Sequence, residues 1–130
     1  MARVTIVNDS PDFLELVEEI LEGDRYETIT IDGDRPDTLD MIRASRPDLL
    51  MIDVRLGVPG DHGWQIAQEV RRDPGLEQLP VLLCSGDLSA LAEIEAGLET
   101  NQRVGMLAKP FSIDRLVSAI DELLADPAVH

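Results

Sequence analysis

Apolar runs and helix-period segments alternate along the chain. Five short runs read as strands: Val4–Val7, Tyr26–Ile31, Leu49–Ile52, Val81–Cys84 and Gly105–Ala108. Three of them (Val4–Val7, Leu49–Ile52 and Val81–Cys84) are mostly apolar, as strands covered on both faces should be. Tyr26–Ile31 alternates polar and apolar residues, which suits an edge strand. Between the strands, Phe13, Leu16, Val17, Ile20 and Leu21 share one face of a predicted helix. Ser10 is a suitable N-cap for it and Pro11 a suitable first residue. Gly23 stands where a left-handed cap would end it. Leu39 and Ile42 mark a second helix that stops before Pro47, and Trp64, Ile66, Ala67 and Val70 mark a third. A fourth is predicted over Leu88–Leu98, its end weakened by Gly97. Ser112 caps a fifth, whose apolar face is Ile113, Leu116, Val117, Ile120, Leu123 and Leu124.

The order is strand–helix repeated five times. Such alternation predicts a parallel sheet with helices on both faces and right-handed crossovers. Five strands at this length point to an α/β domain over residues 1–130, flavodoxin-like, with strand order 2-1-3-4-5.

Composition narrows the function. With 26 acidic and 11 basic residues the formal net charge is −15. A surface that negative does not grip nucleic-acid phosphates or anionic membranes unaided, so neither is an expected direct partner. Aromatic residues make up 3% of the chain, so the core must be aliphatic and stacking platforms are scarce. A single cysteine, Cys84, excludes an internal disulfide and a cysteine zinc cage; it lies in an apolar strand and reads as a small buried hydrophobe. The apolar runs fall far short of the ~20 residues a membrane helix needs. The first is interrupted by Asn8 and Asp9, so no signal peptide is expected and the cytoplasm is the expected location.

In a sheet of this order, ligands bind at the carboxyl ends of the strands, near the switch in strand order. Strand one ends in Asn8-Asp9, strand three in Asp53, strand four in Ser85 and strand five in Lys109-Pro110. Two carboxylates, a hydroxyl and an ammonium are thereby predicted to converge. Asp9 and Asp53 repel each other, a conflict that a hard divalent cation removes. Mg²⁺ takes oxygen ligands at ~2.0–2.1 Å and needs only one or two carboxylates beside waters and a phosphate oxygen. Lys109 and Ser85 supply a positive charge and a hydroxyl donor for phosphoryl oxygens. This is equipment for phosphoryl transfer onto a carboxylate.

At these residues the sequence resembles the receiver domains of two-component response regulators. The matching segments are Arg3–Asp9 (RVTIVND), Leu49–Asp53 (LLMID), Val81–Ser85 (VLLCS) and Leu107–Phe111 (LAKPF), in the family's order. The resemblance implies that Asp53 accepts the phosphoryl group. It implies that Asp9 and Asp53, with the backbone carbonyl of Arg55, ligate Mg²⁺. Ser85 would follow the phosphoryl group, Lys109 would pair with it, and the Lys109–Pro110 peptide would be cis. It implies a histidine kinase or phosphotransfer protein as donor and an effector protein downstream. Self-association as a homodimer stays open. Such a protein catalyses only its own phosphorylation and dephosphorylation, so it is not an enzyme in the usual sense.

Three positions depart from the family pattern. Asn8 replaces the first member of an acidic pair. Met106 stands three residues before the lysine, where the family carries a switching Tyr or Phe. The Asp53–Gly63 loop (DVRLGVPGDHG) is longer than usual. Arg55 and Asp87, each two residues past a site residue, are expected to flank the mouth with opposite charges. A second reading, a receiver-like interaction module that signals without phosphorylation, is favoured by Asn8 and Met106 and opposed by Asp9, Asp53, Ser85 and Lys109. A phosphohydrolase with an aspartyl nucleophile usually needs an Asp-x-Asp pattern after strand one, where this chain reads Asn8-Asp9-Ser10-Pro11. No output domain is expected within 130 residues, so the chain is either a stand-alone receiver or part of something longer.

Overall fold

The computed structural model describes residues 1–33, 36–56, 62–98 and 103–125. Its elements are β1 (Arg3–Asn8), α1 (Pro11–Gly23), β2 (Glu27–Asp32), α2 (Thr38–Ser45), β3 (Leu49–Asp53), α3 (His62–Arg72), β4 (Val81–Ser85), α4 (Leu88–Ala96), β5 (Val104–Ala108) and α5 (Ile113–Ala125). The strands pair in parallel in the order β2-β1-β3-β4-β5. This is the flavodoxin-like order, with the alternating strand β2 at one edge.

Side chains along a strand point alternately to the two faces, and the two cores follow that period. Leu50 and Ile52 of β3, with Val81 and Leu83 of β4, face α2, α3 and α4 through Ile42, Ile66, Val70 and Leu91. Leu49 and Met51, with Leu82 and Cys84, face α1 and α5 through Leu14, Val17, Leu21, Leu116 and Ile120. Apolar runs in the central strands are continuous because both faces are covered. Burying each such side chain contributes about 1.5–3 kcal/mol. Thr5, a buried polar residue of β1, shares a hydrogen bond of 2.7 Å with the Ser45 hydroxyl. Burial pushes the Cys84 thiol up to about 12, so it stays protonated and inert.

Local signals set the helix starts. Ser10 Oγ accepts the Phe13 N–H at 3.3 Å and Pro11 occupies the first position of α1. Ser112 Oγ accepts the Arg115 N–H at 3.1 Å at the start of α5. The helix faces differ from expectation in detail. Leu16 and Ile113 are 54% and 58% exposed, and Leu14 joins Val17 and Leu21 inside instead. One residue of rotation is ~100° on an α-helix, enough to carry Leu16 off a stripe centred between Leu14 and Val17. Gly23 is the last residue of α1 rather than its left-handed cap, and the positive φ of 69° falls on Arg25. Helix α4 stops at Ala96, with Gly97 as its C-cap, two residues short of the predicted end. Among the described residues no helix is long and apolar enough to cross a membrane.

The two α1 leucines separate burial from periodicity. Leu21→Ala should lower the unfolding free energy by about 2–5 kcal/mol. Leu16→Ala should change it by less than ~0.5 kcal/mol. Urea melts of the two variants check this, and equal midpoints would contradict the placement of Leu16.

Candidate functional site

The parallel register brings the carboxyl ends of β1, β3, β4 and β5 to one edge of the sheet. Asp53 pairs with Cys84 in the ladder, one residue before Ser85. Val54 N–H donates to Cys84 O at 2.9 Å and Lys109 N–H donates to Ser85 O at 2.8 Å, so the three strand ends are tied by backbone. The Lys109–Pro110 peptide bond is cis.

Three donors converge on the Asp53 carboxylate. The Arg55 backbone N–H donates to Oδ1 at 3.0 Å. The Asn8 side-chain amide donates to Oδ2 at 3.3 Å, and the Lys109 ammonium forms an ion pair with the same oxygen. The Asp53 side chain keeps only 11% of its surface exposed and the Lys109 side chain 28%. A charge-assisted contact so shielded is worth more than a surface pair. Asn8, 2% exposed, spends its other amide atom on the chain turn, Oδ1 accepting the Ser10 N–H at 2.9 Å. An acid at position 8 would be a second acceptor facing Asp53, whereas the amide is a donor. Asp9, the next residue, is exposed at the end of β1.

Asp87 links the site to α4. Its Oδ1 accepts the Ala90 N–H at 3.1 Å as the N-cap, and its Oδ2 accepts from the Arg55 guanidinium at 2.6 Å. Its own backbone N–H donates to Ser85 Oγ at 3.0 Å. The Ala90 N–H, and after it Arg55, hold the Asp87 carboxyl below its ordinary range. Met106, on β5, is half-buried against the core shared with Ile94 of α4. The expected lengthening of the Asp53–Gly63 loop falls on a stretch whose residues 57–61 lie outside the described residues.

Two residues that matter here carry no signal in the strand-end pattern. Gly63 N–H donates to Val54 O at 2.7 Å, and a Cβ at position 63 would stand 1.7 Å from the Asp53 carbonyl oxygen. The first turn of α3 therefore rests on the backbone that presents Asp53, and only glycine permits that approach. Phe13 lies under the Lys109 ammonium, 4.4 Å from the ring centroid. A glycine ten residues after a strand-end aspartate, and an aromatic in the first turn after strand one, are the only hints the sequence holds.

The donor set fits a hard divalent cation. Asp9 and Asp53 offer carboxylate oxygens and Arg55 a backbone carbonyl, in keeping with the oxygen-rich, carboxylate-poor needs of Mg²⁺. Asn8 is committed to other partners. Among the described residues no group of three His, Cys, Asp or Glu side chains is gathered.

The chain is similar to known proteins over most of its length. Residues 4–121 match the family model described as the response regulator receiver domain. The chain is 29% identical over 118 residues to the DNA-binding response regulator MtrA of Mycolicibacterium smegmatis, covering 91% of this chain and 48% of MtrA. It thus spans about half the length of that relative. It is 29% identical over 124 residues to the polar-differentiation response regulator DivK of Brucella anthropi, covering 95% of this chain and 96% of DivK. The chemotaxis response regulator CheY4 of Vibrio cholerae superposes with a TM-score of 0.78 at 25% identity, over 95% of this chain and 98% of that one. The receiver domain of the sensor histidine kinase PA1611 from Pseudomonas aeruginosa PAO1 shares the fold, with a TM-score of 0.77 at 20% identity over 96% of this chain and 98% of that one. That protein holds a magnesium ion in its active-site cleft.

Gly63→Ala tests the close approach. It should cost about 1–3 kcal/mol in unfolding free energy, because backbone rather than a flexible side chain must give way. A thermal or urea melt measures it, and an unaltered midpoint would contradict the contact.

Proposed function

The chain belongs to the family of response regulator receiver domains, and on that premise we propose that Asp53 is its phosphoryl acceptor, in a Mg²⁺-dependent reaction with a phosphohistidine donor. The carrying observation is the convergence of Asn8, the Arg55 N–H and Lys109 on one shielded carboxylate. In the transfer, an Asp53 carboxylate oxygen attacks phosphorus. The P–N bond of the donor breaks with its electron pair passing to that nitrogen, and the imidazole leaves neutral, keeping the proton its other nitrogen already carries. The chain's work is positioning and charge compensation. Arg55 N–H and the Asn8 amide fix the plane of the carboxylate. Lys109, paired with that carboxylate at rest, passes to a phosphoryl oxygen as the charge moves outward. Ser85, which now accepts the Asp87 N–H, turns its hydroxyl to donate to another. Asp9, Asp53 and the Arg55 carbonyl would hold Mg²⁺, and its charge would offset the mutual repulsion of the carboxylates and that of the transferred group. Asn8 contributes no negative charge, so Asp9 carries more of the metal affinity than the first acid of a pair would leave to it.

The partners proposed are a histidine kinase or phosphotransfer protein as donor and an effector protein as reader, both in the cytoplasm. The fourfold site opposes a module that signals without phosphate. As a domain, the chain changes only its own covalent state and turns over no separate substrate.

Incubation with acetyl phosphate and Mg²⁺, followed by intact-mass analysis, should add one phosphoryl group. Asp53→Asn should add none, and labelling of that variant to the wild-type extent would refute the acceptor assignment. Calorimetric titration with Mg²⁺ should show Asp9→Asn weakening binding by tenfold or more (~1.4 kcal/mol). Asn8→Ala should weaken it far less, and the reverse order would overturn the metal assignment.

A further inference from the structure

Lysine is a long side chain with several rotatable bonds, and a single carboxylate does not fix where its ammonium rests. Lys109 has a second contact that does. Its Nζ stands 4.4 Å from the centroid of the Phe13 ring, well inside the range in which a cation is drawn to the negative face of an aromatic ring. The ring is itself held. Phe111, two residues beyond Lys109, meets it edge-on at 6.1 Å between centroids and 83° between planes. The Phe13 backbone is held too, because its N–H is the one the Ser10 cap accepts. Phe13 and Phe111 are the only phenylalanines among the chain's four aromatic residues, and they meet beside the one lysine. Both pack on the α1/α5 core.

We propose that Phe13 is a positioning residue for phosphoryl transfer, its ring face being the seat that holds the Lys109 ammonium against Asp53 and beside the incoming phosphoryl oxygen. This rests on the reading of Asp53 as acceptor. An aliphatic residue of equal volume would fill the same core space without favouring the ammonium over its other rotamers. The seat also explains how the ammonium can move from carboxylate to phosphoryl oxygen without leaving its place, since a ring face attracts a cation over a broad area.

Two measurements on the full chain test it. The first is the rate of labelling by acetyl phosphate and Mg²⁺ in Phe13→Leu and Phe13→Tyr. The leucine variant should be slowed by roughly 2- to 30-fold, the factor matching the usual strength of a cation–π contact. The tyrosine variant, which keeps a ring face, should be labelled at the wild-type rate. The second is the NMR shift of the Lys109 methylene and ammonium protons next to Nζ. Ring current should move them upfield in the wild type and in Phe13→Tyr, but not in Phe13→Leu. Wild-type-like labelling of Phe13→Leu would overturn the proposal. Equal slowing of both variants would do so as well, because that is the behaviour of a packing residue. Should Phe13→Leu not fold, the wild-type spectrum decides, and Lys109 resonances at unperturbed positions refute the seat. Asp53→Asn is run in parallel: if it is labelled, the acceptor assignment falls by itself, whereas an unlabelled Asp53→Asn beside an unaffected Phe13→Leu removes only the role of Phe13.

Discussion

The Asp53 carboxylate, shielded at the end of a central strand, is the charge around which the rest of the molecule is arranged. A carboxylate drawn that far from water must be satisfied, because an unpaired buried charge costs far more than a hydrogen bond returns. Three strand ends supply the answer between them. β1 sends the Asn8 amide, the chain after β3 sends the Arg55 N–H, and the chain after β5 sends Lys109. No one segment could do this alone. The parallel sheet is what places three chain ends, remote in sequence, on the same edge.

Asn8 shows how one atom changes the electrostatics. In a chain of net charge −15, a further acid at this depth would add repulsion where Asp53 already needs donors. The amide turns an acceptor into a donor and also ties the β1–α1 turn through Ser10. Carboxylate orientation therefore owes more to the protein at rest, and under the proposed reading a bound cation would owe more to Asp9. The same economy is visible at Asp87, where one carboxylate caps α4 and holds Arg55 across the mouth. That pair is half-exposed, so its direct contribution to stability is within ~0–1 kcal/mol. Its structural weight lies in joining the segment after Asp53 to the first turn of α4.

Below the site, two aliphatic cores do the positioning. Ile52 is wholly buried on one side of β3 and Met51 nearly so on the other, which leaves Asp53 no freedom to slide along the strand. A register shift of one residue would exchange the two cores. Gly63 adds a constraint from the side, since the start of α3 lies against the Asp53 carbonyl and leaves no room for a Cβ. Rigid surroundings of this kind suit a reaction in which the protein mainly orients and neutralises.

Much of this was legible in the sequence. Strand and helix order and the residues at the strand ends follow from periodicity and capping, which act over a few residues and so leave a local trace, and the strand order of the sheet follows from that alternation at this chain length. Asp9, Asp53, Ser85 and Lys109 could be read as one group because a parallel sheet puts all strand carboxyl ends on one edge. Other features were decided only by tertiary packing. The exposure of Leu16 and Ile113 depends on the exact rotation of α1 and α5 against the sheet, which period alone leaves open. The donor role of the Asn8 amide depends on which of its atoms faces Asp53. The place of Phe13 under Lys109 is a distance between segments far apart in the chain, and the bare approach of Gly63 to Asp53 is one between a strand and the helix that follows it. Such distances are set by how completed helices seat on a completed sheet, and no short stretch of residues encodes them.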